Sequence, residues 1–421
     1  MCQAGHDEPK TRTIRYYSSR GAGRHASLTA VWSLWRAPCQ YRPSDLPNER
    51  IEASHARQQQ LPHRGIAGRR HRTGSDGARA RGAGEGRGSD PAAQIPLHRG
   101  AGGRRPLSRH RHVDAAQSTI KLCEEADAIL LGACGLPHIR YPDNTEIMPQ
   151  VELRFMFDLY AGVRPCRLIA NVPSPIVGAA ERGIDLVVIR ESTEGLFASM
   201  GKGVVSDTEA RETLLITRKT SQRLFDFAFR LARRRKARGG RGLLTCVDKA
   251  NAFKAYAFFR SMFDECAARY QDVATDRLYV DACAAMLVRR PWDFDVMVME
   301  NMFGDIISDL TAGLIGGMGM APSADIGDTH AVFQPCHGTA PDIMGKGLAN
   351  PTAMILSAAL MLDWLADRHG HEAAADGARA IESAVDRAFA AGLMPCEFGG
   401  RDSTAVIADA VLRALDACAA P

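Results

Sequence analysis

The sequence predicts an α/β fold in two domains. Two short apolar runs, residues 185–189 (DLVVI) and 295–299 (DVMVM), have the length and composition of buried strands. Stretches with helical periodicity lie between and after them, and strands alternating with helices imply an α/β architecture. At 421 residues and 45% hydrophobic content the chain can bury a large core.

In chain order, residues 125–131 (EADAILL) lead into Gly132 as a buried strand after a helix end. Residues 221–238 place Leu224, Phe225, Ala228, Phe229, Leu231 and Ala232 on one helical face. Basic residues and then Gly239-Gly240 follow, as a helix C-terminus prefers. Residues 352–365, 373–391 and 403–419 read as further helices. No Gly-x-Gly-x-x-Gly follows a strand, so a Rossmann site is not indicated.

No run of about 18 apolar residues exists, which predicts no transmembrane helix. The start of the chain has no apolar signal-like stretch. The 11 cysteines are scattered and include no Cys-x-x-Cys. That pattern predicts reduced thiols and a cytoplasmic location, with neither a disulfide framework nor a zinc site.

The net charge of +5 hides an asymmetry. Residues 1–116 hold 21 Lys+Arg against 9 Asp+Glu, and only Lys10 is a lysine; the remainder holds 32 against 39. Gly and Arg dominate residues 64–105 without a sustained period. An Arg/Gly arm that contacts nucleic-acid phosphates is one reading, and a plain irregular extension is another. The reading placed first is wrong-frame translation. Gly68–Asp76 can be encoded so that a start one base later gives Gly-Asp-Gly-Ile-Gly-Pro-Glu-Val. The same frame admits Thr-Gly-Thr-Ser-Met-Pro under residues 110–116. Nucleic-acid binding is accordingly not expected.

The chemistry concentrates later. Asn301-Met-Phe-Gly-Asp305-Ile-Ile-Ser-Asp309 places two carboxylates at i and i+4 near a helix start. Such a pair repels unless a cation lies between, so it reads as half of a hard-metal site. About 30 residues on, His337-Gly338-Thr339-Ala340-Pro341-Asp342 is a turn with an acid suited to wrapping a nucleotide. Arg154, Arg164 and Arg190 each follow an apolar residue. Taken singly, each would read as a surface ion pair.

These segments together resemble the β-decarboxylating dehydrogenases, the isocitrate/isopropylmalate dehydrogenase family. The resemblance runs from Gln117 to the C-terminus. It rests on Leu131-Gly-Ala-Cys-Gly135, Leu153-Arg154, Val163-Arg164-Pro165, Ile189-Arg190-Glu191, Val247-Asp-Lys249-Ala-Asn251, Asp281, residues 301–309 and residues 337–351. It implies the isopropylmalate-dehydrogenase-like fold, with residues 117–159 plus 316–421 forming a cofactor domain. Residues 160–315 would form the substrate and dimerisation domain, and residues 1–116 would be irregular.

The activity implied is NAD-dependent oxidation and decarboxylation of a 2-hydroxy dicarboxylic acid. Arg154, Arg164 and Arg190 would fork onto substrate carboxylates. Asp281, Asp305 and Asp309 would hold Mg²⁺ or Mn²⁺, which would polarise the C2 oxygen. Lys249 would be the general base, and Lys249 and Asp281 would serve the partner subunit's site in a homodimer. Residues 337–342 and Asn350 would bind the cofactor. Asp342 would accept hydrogen bonds from the ribose and repel a 2′-phosphate, favouring NAD over NADP.

Two positions depart from the family pattern. Phe197 stands where relatives place a proton-donating tyrosine. Gln150 and Val151 stand where isopropylmalate enzymes tend to place leucines, which suits a more polar substrate. Isopropylmalate is placed narrowly ahead of tartrate- or malate-type substrates. An inactive relative, or an Arg/Gly-rich nucleic-acid-binding protein, is the rival class.

Overall fold

The computed structural model describes residues 119–134, 140 and 148–419. The Arg/Gly-rich segment and Gly135 lie outside the described residues, as does the whole stretch 1–116 for which wrong-frame translation is one reading. The described residues all fall in one compact unit.

Residues 119–125 are helical and lead into β1 (Ile129–Leu130). Next come α1 (Pro149–Met156), β2 (Ala161–Arg167), α2 (Ala179–Arg182) and β3 (Asp185–Glu191). A small hairpin of β4 (Val204–Val205) and β5 (Ala210–Arg211) precedes α3 (Arg218–Ala237). Then follow β6 (Leu243–Asp248), α4 (Lys254–Ala267), β7 (Ala274–Tyr279), α5 (Val280–Arg289), β8 (Val296–Met299) and α6 (Asn301–Leu314). The chain ends with β9 (Pro322–Ile326), β10 (Ala331–Pro335), α7 (Thr352–His369), α8 (Glu372–Ala390) and α9 (Thr404–Ala419).

Among the described residues, one sheet of eight strands runs β1-β10-β9-β2-β3-β8-β6-β7. The β3, β8, β6 and β7 neighbours pair in parallel, as do β1 and β10, whereas β10-β9, β9-β2 and β2-β3 are antiparallel. The α/β expectation holds, and the sheet is mixed.

The centre of the sheet is buried on both faces, which explains why β3 and β8 read as continuous apolar runs. Val187 and Ile189 of β3 enter one core with Val296 and Val298 of β8. Leu186 and Val188 enter the other with Met297 and Met299. Phe225 and Phe229 of α3 pack with Phe259 and Phe263 of α4 in the first core. Phe389 of α8 and Ile307 of α6 fill the second.

The expected helix at 221–238 begins slightly earlier, at Arg218. Thr217 is the reason: its hydroxyl accepts the backbone N–H of Thr220 as an N-cap. Strand β2 had no clear sequence signal because it carries Pro165. A proline fits there because the pairing with β9 stops at Val163.

Candidate active site

Strand register brings the polar side chains to one place. Gly162 of β2 lies opposite Arg190 of β3 on one side and opposite Asp325 of β9 on the other. A Cβ at residue 162 would come within 2.6 Å of Ser192 Oγ and 3.2 Å of Asp325 Oδ1, so glycine leaves room for that carboxylate. Gly304 acts likewise on α6. A Cβ there would lie 2.6 Å from Arg190 Cβ and Cγ, so its absence lets the arginine pass against the helix.

Arg154, Arg164 and Arg190 converge on a single pocket with Asp305 and Asp309. Gln150, Cys134, Cys336, His337 and Gly338 also line it. All three arginines are buried. Arg190 donates to Asn301 Oδ1 from Nε at 3.0 Å and from Nη2 at 2.7 Å, and its Nη1 contacts Asp305. Burial and the neighbouring Arg154 pull the Arg190 guanidinium down to about 10, although Asp305 opposes this. Burial and the Asp305 charge push the Asp309 carboxyl up. The two acids share a face of α6, as their spacing predicts.

Oxygen donors of this kind suit a hard divalent cation. Among the described residues no three His, Cys, Asp or Glu side chains form a complete metal cage. Asp305 and Asp309 could supply two oxygen ligands to such an ion, which would offset the repulsion that raises the Asp309 carboxyl.

Asp281 and Lys249 are not in this pocket. They pair with each other, Lys249 Nζ donating to Asp281 Oδ1 at 2.7 Å, where Lys249 follows β6 and Asp281 opens α5. The hydrogen bond from Lys249 holds the Asp281 carboxyl below its ordinary range. The Asp281 side chain is 68% exposed.

His337 and Gly338 line the pocket mouth, and Asp342 lies exposed on the loop beyond. Ala340 holds a φ of 44°, a conformation uncommon outside glycine. Asn350 is buried, and its amide nitrogen donates to Glu397 Oε2 at 3.1 Å. Its Oδ1 accepts from Thr352 Oγ1 at 2.7 Å, so this side chain braces the loop from beneath. Of the two positions before the first arginine, Gln150 lines the pocket and Val151 is buried without lining it.

Asp325 escaped the sequence reading. It is 1% exposed and accepts Arg154 Nε at 3.0 Å and Arg164 Nη2 at 3.2 Å. Burial alone would raise its carboxyl, but the charges of Arg154, Arg164 and Arg190 outweigh that and hold it at about 2. A lone acid in Ser323-Ala-Asp-Ile has no spacing partner, so no sequence signal marked it.

A buried arginine cage beside paired acids, built on β2, β3, β9 and the helices α1 and α6, defines an α/β protein with a strongly basic buried pocket. The chain belongs to the isocitrate/isopropylmalate dehydrogenase family, whose pattern it matches over residues 100–411. That match begins inside the Arg/Gly-rich segment. It is 40% identical over 301 residues to the 3-isopropylmalate/3-methylmalate dehydrogenase of Methanocaldococcus jannaschii, covering 70% of this chain and 83% of that one. It is 39% identical over 306 residues to the isocitrate/homoisocitrate dehydrogenase of Thermus thermophilus, covering 72% and 85%. The solved isocitrate dehydrogenase of Methylococcus capsulatus superposes with a TM-score of 0.61 at 35% identity, covering 74% of this chain and 85% of that one.

Proposed function

We propose that this protein oxidises a 2-hydroxy dicarboxylic acid with NAD and releases its β-carboxylate as carbon dioxide. The observation that carries this is the convergence of Arg154, Arg164 and Arg190 on one pocket with Asp305 and Asp309. Guanidinium groups hold and orient the substrate carboxylates, which raises the effective concentration of the reacting groups. Mg²⁺ or Mn²⁺ held by Asp305 and Asp309 would supply Lewis-acid polarisation at the C2 oxygen. Residues 337–342 would hold NAD, which when bound would supply the hydride acceptor. Asp342 favours a free ribose hydroxyl over a phosphate.

Lys249 is the general base in this reading, and it acts across a homodimer. Its own pocket does not include it or Asp281, while both stand at an accessible surface. Exposed apolar side chains occur in the same parts of the chain: Phe253 four residues after Lys249, and Met302 and Ile306 beside Asp305 on α6. Covering such residues supports association with a second copy. The division into a cofactor part (117–159 with 316–421) and a substrate and dimer part (160–315) belongs to the same reading, as does a cytoplasmic location. Among the described residues no helix is long and apolar enough to cross a membrane.

Relatives named for isopropylmalate favour that substrate type. A tartrate- or malate-type substrate is the second reading, favoured by Gln150 in the pocket wall. An amide there would lose its hydrogen-bond partner against an isopropyl group. Steady-state NAD reduction with Mn²⁺ and a panel of isopropylmalate, tartrate, malate and isocitrate tests both readings. Turnover confined to one 2-hydroxy dicarboxylate is expected; no turnover with any of them, in a correctly folded chain, removes the proposal.

Residues 1–116 are part of the proposal as a frame-shifted stretch. The nucleotide sequence over codons 60–120 decides this directly. Strongly salt-dependent nucleic-acid binding lost on deleting 1–116 would instead favour a genuine Arg/Gly arm.

A further inference from the structure

We infer that Asp325 is the positioning residue of the anion pocket, fixing the plane in which Arg154 presents its terminal nitrogens to a substrate carboxylate. This rests on the dicarboxylate reading above and assigns its parts. Asp325 is the penultimate residue of β9 and takes one hydrogen bond from each of two arginines on different elements. Arg154 of α1 donates Nε to Oδ2 at 3.0 Å, and Arg164 of β2 donates Nη2 to Oδ1 at 3.2 Å. Gln334 Nε2 and Ser192 Oγ stand at 3.4 Å from its two oxygens, so the carboxylate is enclosed on the sheet side by neutral groups.

The three guanidinium heads are committed to different degrees. Arg164 also docks Nη1 on the carbonyl oxygens of Val163 and Ala324, at 3.2 and 2.7 Å. Arg190 spends Nε and Nη2 on Asn301 and Nη1 on Asp305. Arg154 has only Nε engaged, and neither of its terminal nitrogens meets a protein acceptor among the described residues. Arg154 lines the pocket. A guanidinium anchored through Nε presents its two terminal N–H groups as a planar fork, the geometry that matches a carboxylate. Asp325 thus fixes the plane of the fork, and α1 alone could not, because a long side chain otherwise samples many rotamers.

The sign of one substitution separates positioning from mere charge balance. Asp325→Asn keeps the shape and removes a negative charge from beside three arginines. If Asp325 were only a counter-charge, the more positive pocket would bind a dicarboxylate more tightly. If it positions Arg154, binding weakens. The experiment is calorimetric titration of succinate, a dicarboxylate with no hydroxyl to oxidise, into the full chain with Mn²⁺ present. Asp325→Asn is expected to raise the succinate Kd about tenfold or more; an unchanged or lower Kd overturns the inference. Should that variant melt far below the parent, Arg154→Lys decides instead. It keeps the charge and loses the fork, and it is expected to raise the Kd to a similar degree, an unchanged value overturning the inference. A parent chain that fails to bind succinate also overturns it. A parent that binds succinate but never reduces NAD overturns the dehydrogenase reading and leaves this assignment standing.

Discussion

The guanidinium carbon of Arg190 lies over the ring of Phe197, 5.7 Å from its centroid. The position where relatives carry a proton-donating tyrosine thus does border the arginine cage, and here it offers a cation–π contact and no proton. Phe197→Tyr is expected to raise turnover by restoring an acid beside the pocket, and to move the alkaline limb of the pH–rate profile. Steady-state kinetics across pH check this. An unchanged kcat and an unchanged profile would mean that another group already protonates the decarboxylated product.

Asp305 and Asp309 stand one helical turn apart with an arginine on the first of them. Replacing either by Asn is expected to cut turnover by at least about a hundredfold and to weaken Mn²⁺ binding. Electron paramagnetic resonance titration of free Mn²⁺ reads the second effect without any turnover. Full Mn²⁺ affinity in both variants would remove these residues from the metal site.

Glu191 gives a pH dependence of stability. Burial pushes its carboxyl up from 4.5 to about 7, against hydrogen bonds from Thr193 and Glu194 that pull it down. The unfolded chain loses this proton near the lower value and the folded chain near the upper one. Stability is therefore full below about pH 4.5, falls as pH rises toward 7, and levels off above it. The loss should be on the order of 3 kcal/mol. Urea unfolding at pH 5 and pH 8 checks it: Glu191→Gln should flatten the difference, and an equal difference in that variant would place its origin elsewhere.

Lys249 and Asp281 form their own pair outside the pocket. If each pocket borrows them from a second subunit, two inactive variants should complement. Lys249→Met mixed with Arg154→Met after unfolding and refolding together is expected to recover about a quarter of parental activity, since half the dimers are mixed and each holds one intact site. No recovery, with mixed dimers present, would show that Lys249 does not act across an interface.

Much of this was legible in the sequence for a physical reason. Helical spacing put Asp305 and Asp309 on one face, and apolar runs marked β3 and β8 because both of their faces are buried. The arginines were legible only as a set. What stayed hidden depends on contacts between distant segments. Asp325 gains its meaning from Arg154 and Arg164, which lie 171 and 161 residues away in the chain. Gly304 reads as a helix weakness until Arg190 is seen passing over it. The hydrogen bond of Asn350 to Glu397, 47 residues on, was hidden in the same way.

The most direct measurement couples the two products. A chain re-encoded in the proposed frame over residues 68–116 is incubated with NAD, Mn²⁺ and isopropylmalate or tartrate, and NADH and carbon dioxide are quantified together. The two are expected in equal amounts with one of these substrates, and neither product is expected when Asp305 is replaced by Asn. NADH without carbon dioxide, or no NADH from any 2-hydroxy dicarboxylate, would contradict it.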